Sequence, residues 1–348
     1  MKPLSSLGIN ATGPSFVIAE AGVNHNGDLA TAFRLIEEAK RVGADCVKFQ
    51  SFRADRVVMR GAPKAAYQLK VTDAAESQFD MLRSLELSPA QHAELIACCA
   101  ANGIQFLSTP YDIHDAEMLA RLGVPGFKLA SIHLVELPYL RELASFGLPL
   151  ILSTGMATLA EVDVAVRTLR DVGHDAFAVM QCTTNYPSRV ADANLRAMVT
   201  MRDALGVCAG YSDHTEGIAV TLASVALGAR VLEKHFTLDV GMPGPDHSCS
   251  SDPAEFAALM RGIREVEAAL GTGVKIPSAA EQANTAGMRR SVVTVRPLVP
   301  GETLRRDDVA FKRPATGIAP ARLDELIGRQ VVEPVPADTL LEWRHVSR

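Results

Sequence analysis

A (β/α)8 barrel of the TIM type, followed by a smaller β-rich module, is the fold class this sequence predicts. Three observations lead there. Eight short β-rich runs alternate with helical stretches over about 270 residues, close to the usual size of such a barrel. Nearly every one of those runs ends in polar or charged side chains. Beyond Arg290 the alternation stops and short β segments with turns take over.

The eight runs are FVIAE (16–20), DCVKFQ (45–50), IQFLS (104–108), GFKLA (126–130), PLILS (149–153), FAVMQ (177–181), VCAGYS (207–212) and RVLEKHF (230–236). Helix starts between them carry recognisable caps. Ser88-Pro89-Ala90-Gln91 and Thr158-Leu159-Ala160-Glu161 both have the capping-box pattern, and Asp252-Pro253-Ala254-Glu255 opens the last long helix. Leu159, Val162, Val166 and Leu169 follow the helical period, and Gly43, Gly103, Gly123 and Gly173 stand where helices should stop. A doubly wound sheet is the competing fold. Eight regular units with no GxGxxG after the first strand disfavour it. The expected domains are a barrel over 1–277, a polar linker over 278–289 and a β-rich module over 290–348. In that module PLVPGETL (297–304) and EPVPADTL (333–340) read as an internal near-repeat. The stretch Arg53–Leu87 is longer than an ordinary βα loop, and long loops at that end of a barrel cover sites.

The bulk numbers bound the function. The chain has 348 residues, 48% hydrophobic, with a formal charge of −5, which gives no reason to expect nucleic acid as a partner. From Met288 onward 11 Lys/Arg face 8 Asp/Glu, so a mildly basic tail follows an acidic body, as would suit a tail that helps hold an anion. The six cysteines, Cys46, Cys98, Cys99, Cys182, Cys208 and Cys249, form no CxxC pair and read as free buried thiols in a reducing compartment. With no apolar leader and no membrane-length run, the expectation is a soluble cytoplasmic protein with no membrane partner.

Chemistry should collect at the carboxyl ends of the strands. In order these carry Glu20, Lys48 and Gln50, Ser108 and Thr109, Lys128 and Ser131, Ser153 and Thr154, Gln181 to Tyr186, Ser212 to His214, and Glu233 to His235. A structural barrel has no use for such a crown. Two lysines among hydroxyls suggest a ligand with phosphate, or phosphate plus carboxylate. Lys48 within VKFQ and Lys128 within FKLAS have flanks of buried character. His214 and His235 stand one β/α repeat apart, at the mouths of adjacent strands. That spacing admits a metal site for Mn, Fe or Zn with open positions, and equally a pair of hydrogen-bonded structural histidines. His25, in VNHNGD, lies in the first loop and could join the same site.

The stretches VIAEAGVNHNGD, VKFQSF, STPYD, FKLAS, ILSTGMAT, QCTTNYP, GYSDHTEG, LEKHFTLD and MPGPDH, in that order, resemble the N-acetylneuraminate (sialic acid) synthase family. The tail RRSVVTVRPLVPGETLRRDDVAFKRP resembles that family's C-terminal antifreeze-like (SAF) domain. The match runs from about Phe16 to the tail. The resemblance implies condensation of phosphoenolpyruvate with an N-acetylmannosamine-type aldose, giving a nine-carbon 3-deoxy-2-keto acid and phosphate. It implies a divalent metal, Mn2+ with Mg2+ or Co2+ as alternatives, on His214 and His235. It gives Glu20 a role at the reacting carbons, against the alternative of a structural carboxylate paired with a barrel lysine. Lys48, Thr109, Lys128, Ser131, Ser153, Thr184 and Ser212 would hold phosphoenolpyruvate. Gln50, Tyr186 and Asp246 would contact the sugar, joined by Arg313 from the SAF domain of the partner in a homodimer whose tails cap each other's barrels. After FKLAS the family commonly has a glycine and a sugar-contacting glutamate. Here Ile132 and His133 follow, so an imidazole is expected in place of an acceptor-only carboxylate, with a changed sugar preference. Legionaminic and pseudaminic acid synthesis, condensation with a phosphorylated aldose, and a silent barrel scaffold are the alternatives.

Overall fold

The computed structural model describes residues 1–64, 69 and 76–348. It divides into two compact units, Met1–Gly271 and Thr272–Arg348.

The first unit is a ring of eight parallel strands: β1 (Phe16–Gly22), β2 (Cys46–Ser51), β3 (Gln105–Pro110), β4 (Phe127–Leu129), β5 (Leu150–Ser153), β6 (Phe177–Cys182), β7 (Cys208–Asp213) and β8 (Val231–His235). Each lies within two residues of its expected run. Ladder bonds run in the order β3-β2-β1-β8-β7-β6-β5-β4. β1 pairs with β8 from Phe16↔Val231 to Glu20↔His235, which brings the two chain-distant strands together. β3 and β4 are neighbours without a ladder between them, so the barrel is nearly, not fully, closed.

Strand alternation sorts the side chains. One set of alternate residues, including Val17, Val47, Phe127, Leu150, Val179 and Leu232, packs in the large core that also contains the surrounding helices. The other set points to the barrel axis. At its amino-terminal end that set is apolar: Ile18, Cys46, Leu107, Ile151, Met180 and Val231 form a separate cluster plugged from below by Leu7 and Ile9. One period further along the same strands stand Glu20, Lys48, Thr109, Ser153, Cys182 and Glu233, with Lys128 of β4 bonded to Ser153. The barrel thus carries an oily plug with a polar layer above it.

The helix caps form as expected. Ser88 and Gln91 bond reciprocally at the start of Pro89–Asn102, which ends on Gly103 at φ +62°, a left-handed cap that favours glycine. Thr158 and Glu161 do the same for Leu159–Asp171. Asp252 accepts from the Glu255 amide at the start of Pro253–Leu270. Of the long Arg53–Leu87 connection, residues 65–68 and 70–75 lie outside the described residues. The rest holds the short helix Ala54–Val57 and the helix Gln78–Ser84.

The second unit opens with the helix Ala279–Met288, where a linker was expected. Ser278 and Glu281 form a further capping box there, but no residue of the helix is buried. Then β9 (Ser291–Thr294) pairs antiparallel with β10 (Val309–Lys312). The two near-repeats meet each other: Leu298 and Val335 exchange both backbone bonds, at 2.8 and 3.0 Å. Val292, Leu298, Leu304, Val335 and Leu341 share the small core. Among the described residues, no helix is long and apolar enough to cross a membrane.

Candidate active site

The run Val231-Leu232-Glu233-Lys234-His235 is buried throughout. Period-2 alternation turns Glu233 and His235 to the barrel axis and Lys234 outward to the helices. Lys234 Nζ lies 3.0 Å from Asp213 Oδ2 and donates to Thr215 O at 2.7 Å. Asp213, on β7, also accepts from the Thr215 amide at 2.9 Å, the Thr221 hydroxyl at 2.6 Å and the Tyr211 hydroxyl at 3.3 Å. This buried pair ties β7 to β8 just behind His214 and His235.

Inside the barrel, Glu233 is the shared counter-ion. Its carboxylate stands 3.2 Å from Lys128 Nζ and 3.6 Å from Lys48 Nζ, and accepts from Ser212 Oγ at 3.0 Å. Lys128 also donates to Ser153 Oγ at 2.8 Å, and Lys48 to Thr109 Oγ1 at 3.2 Å. Lys48 forms a tighter pair with Glu20, at 2.7 Å. Gln50 Nε2 reaches the other Glu20 oxygen at 3.2 Å, and Tyr111 donates to Gln50 Oε1 at 3.3 Å.

The two carboxyls are driven apart. Burial raises the pKa of Glu20 to about 7, with the nearby Glu233 charge adding to it and Lys48 opposing. Burial acts the same way on Glu233, but Lys128 and Lys48 overcome it and hold its pKa at about 2. One carboxyl is therefore poised to exchange a proton near neutrality while the other stays an anion. Burial alone would discharge Lys48, yet Glu20 and Glu233 keep its pKa above the ordinary value. Lys128 is pulled below it, mainly by burial.

Above this layer the two imidazoles face each other with ring centroids 5.3 Å apart, and Tyr186 lies 4.2 Å from the His214 ring. His214 Nδ1 is 2.7 Å from Thr183 O, so it donates there and Nε2 is the nitrogen left for another partner; burial opposes its charge, but Cys182 and the Thr183 carbonyl raise its pKa. His235 Nδ1 is buried without a hydrogen-bond partner, 4.0 Å from Asp246 Oδ2. Burial and His214 push the His235 pKa well below its ordinary value, so this imidazole is neutral. One imidazole whose Nε2 is left over by the Thr183 bond, and a second whose Nδ1 is orphaned in the interior, fit a borderline divalent cation. Among the described residues no group of three or more His, Cys, Asp or Glu converges on one point, so the protein would supply two ligands and leave the other positions to water or substrate.

A cavity of about 250 Å3 lies over these groups. Its lining contains Glu20, Lys48, Gln50, Thr109, Lys128, Ser131, Ser153, Thr184, Tyr186, Ser212, His214, His235 and Asp246, so the structure brings all of these expected residues together. Ser131 Oγ accepts from the Gly155 amide at 2.9 Å. Met81, Leu82 and Leu85 of the Arg53–Leu87 segment line it too. His25 is buried, its Nδ1 accepts from the Gly27 amide at 3.0 Å, and it does not line the cavity. Arg313 is exposed on the second unit, its Nε donating to Met288 O at 3.1 Å.

His133 departs from expectation. It is buried rather than in the cavity, with Nδ1 2.9 Å from Glu136 Oε2 and its ring between Tyr111 and Tyr139, at 5.4 and 5.2 Å. The turn Ser131–Val135 presents Ile132 to the cavity instead. Among the lining residues that carried no assigned role, Glu233 and Cys182 both stood in the strand-end crown, and the strand period turns both to the barrel axis, Glu233 between Val231 and His235 and Cys182 after Met180. Cys182 Sγ lies 3.8 Å from both His214 Nδ1 and Ser131 Oγ.

Comparisons with known proteins agree with this geometry. The chain is 44% identical to the N,N'-diacetyllegionaminic acid synthase of Legionella pneumophila over 98% of both chains. It is 36% identical to the N-acetylneuraminate-9-phosphate synthase of Homo sapiens, over 94% of this chain and 92% of that one. The crystal structure of the N-acetylneuraminic acid synthetase from Leptospira borgpetersenii superposes with a TM-score of 0.70 at 33% identity, covering 78% of this chain and 90% of that one. The NeuB family profile matches residues 35–275 and the SAF domain profile residues 289–347. Barrel, crown and tail together place this chain in the NeuB family, with a C-terminal SAF domain.

Proposed function

We propose that this protein condenses phosphoenolpyruvate with an N-acylated aldose to form a nonulosonic acid of the legionaminic type, releasing phosphate. The observation that carries the reading is the buried Lys48–Glu233–Lys128 array ringed by hydroxyls beneath the two facing imidazoles. The first expectation, an N-acetylmannosamine-type acceptor, gives way to the legionaminic alternative. What supports the change is the 44% identity to a diacetyllegionaminic acid synthase against 36% to a neuraminate-9-phosphate synthase.

In the proposed reaction, C3 of phosphoenolpyruvate bonds to the aldehyde carbon, water adds at C2, and the C–O bond to phosphate breaks. Lys48 and Lys128 neutralise phosphate and carboxylate, and Thr109, Ser131, Ser153, Thr184 and Ser212 donate to their oxygens. Glu20, paired with Lys48 yet with a raised pKa, takes the proton of the attacking water. Glu233 stays ionised and holds the two lysines at their spacing. Gln50, Tyr186 and Asp246 orient the sugar. A divalent cation, Mn2+ by preference, would be held by His214 and His235 and would supply Lewis acidity at the aldehyde oxygen. Arg313 would reach the sugar from the SAF domain of a second subunit in a homodimer.

The test is phosphate release by metal-stripped protein with phosphoenolpyruvate and a panel of aldoses, with and without Mn2+. Metal-restored turnover with a 2,4-diacetamido-trideoxymannose supports the reading. Turnover confined to N-acetylmannosamine would return the sialic acid assignment. No turnover with any aldose would leave the barrel a scaffold.

A further inference from the structure

We infer that Ile132 is a specificity residue that selects acceptors ending in methyl groups and excludes acceptors ending in phosphate. The inference rests on the condensation proposed above and names the acceptor class of the same cavity.

The cavity has two unlike halves. Its floor is charged and hydroxyl-rich. Above it, among the imidazoles, tyrosines and Asp246, the lining includes five apolar side chains: Val23, Met81, Leu82, Leu85 and Ile132. This apolar part is built in advance of any ligand. Val23, Phe52 and Leu85 form a small core of their own, with Leu82 and Tyr111 packed against it, which seats the helix Gln78–Ser84 at the barrel mouth. Ile132 is fixed by its neighbours. Ser131 is tied to the Gly155 amide, while His133 and Leu134 are buried, His133 locked by Glu136 and two tyrosines. A tight turn anchored on both sides leaves the Ile132 side chain 44% exposed. A β-branched aliphatic side chain held open in the same cavity lining as four other apolar ones calls for an apolar ligand surface.

Charge points the same way. Among the described residues lining the cavity, the only lysines or arginines are Lys48 and Lys128, both on the floor and both bridged to Glu20 or Glu233. A phosphate on the far end of the acceptor would exchange water for apolar side chains, with no counter-charge from the described lining residues of the same subunit. An acetamido methyl or a 6-deoxy methyl would instead lose apolar surface against Ile132 and Met81.

The experiment compares wild type, Ile132→Ala, Ile132→Val and Ile132→Lys with three acceptors: 2,4-diacetamido-2,4,6-trideoxymannose, N-acetylmannosamine and N-acetylmannosamine 6-phosphate. A methyl in an apolar pocket is worth roughly tenfold or more in kcat/KM. We expect Ile132→Ala to lose about that factor for the trideoxy acceptor, mostly in KM, with the KM for phosphoenolpyruvate within about twofold of wild type. Ile132→Val should recover most of the loss, and Ile132→Lys should gain on the 6-phosphate. Equal loss on all three acceptors, or wild-type preference for the 6-phosphate, overturns the inference while the condensation stands. Absence of phosphate release with every acceptor overturns both.

Discussion

Replacing Lys234 with methionine tests the architecture behind the two histidines. The side chain keeps its length and loses its charge. Its ammonium is buried with Asp213 at 3.0 Å, so the substitution leaves a carboxylate in the interior without its cation. Breaking one side of a buried pair costs about 3–5 kcal/mol. Asp213 keeps donors from Thr215, Thr221 and Tyr211, which places the loss toward the low end; Thr215 O loses its 2.7 Å donor, which pulls it back up. At about 2–4 °C per kcal/mol for a domain near this size, the melting temperature should fall by roughly 10 °C. Adding Asp213→Asn removes the orphaned charge, so the double variant should melt closer to wild type than Lys234→Met alone. Thermal unfolding of wild type, both single variants and the double variant completes the cycle. The reasoning fails if Lys234→Met melts within about 2 °C of wild type, or if the two losses simply add. Mn2+ binding by isothermal titration should weaken in parallel, because Asp213 and Lys234 each precede a proposed ligand.

Three further outcomes are expected. Glu233→Gln should keep the fold but lower kcat by about 100-fold or more, because Lys48 and Lys128 lose the anion that spaces them; steady-state kinetics at unchanged circular dichroism would show it, and near-normal kcat would contradict it. Gly155→Ala would put a Cβ into Thr184 Oγ1 and 2.8 Å from Ser131 Oγ, so the KM for phosphoenolpyruvate should rise about tenfold while melting moves only a few degrees. Asp115 governs a pH effect. Burial, with Asp112 adding to it, lifts its pKa from 3.8 to about 7 against the pull of Arg56. The folded state therefore holds a proton that the unfolded chain has released, so stability falls as pH rises from about 4 to about 7 and levels off above. Asp115→Asn should flatten the dependence of melting temperature on pH across that window; an unchanged slope would refute it.

Most of the barrel was legible because its signals are local. Strand runs, capping boxes and stop glycines each act within a few residues, and all eight strands sit where those signals put them. The crown was legible because a barrel sends every strand end to one face. What escaped the sequence depends on direction rather than position. Glu233 was seen as one of three consecutive charges, and only applying the strand period separates it from Lys234. His133 follows a strand on a tight turn, where neither period holds, and the choice between it and Ile132 is made by Glu136 and Tyr139 just downstream together with Tyr111 from the end of the preceding strand. The helix Ala279–Met288 had its capping signature in Ser278 and Glu281, but with no apolar stripe it looked like a linker.

The gap in the ring between β3 and β4 has a consequence for how the site breathes. β4 is three residues long and is laddered on one side only, to β5. Lys128 is its middle residue. Of the two cations on the cavity floor, one therefore rides on a stave held by neighbours on both flanks and the other on a short stave at an open seam. Amide exchange should begin at that seam, and the spacing of Lys128 from Glu233 is the dimension of the site with the most give. A ligand bridging Lys48 and Lys128 would act as the missing hoop.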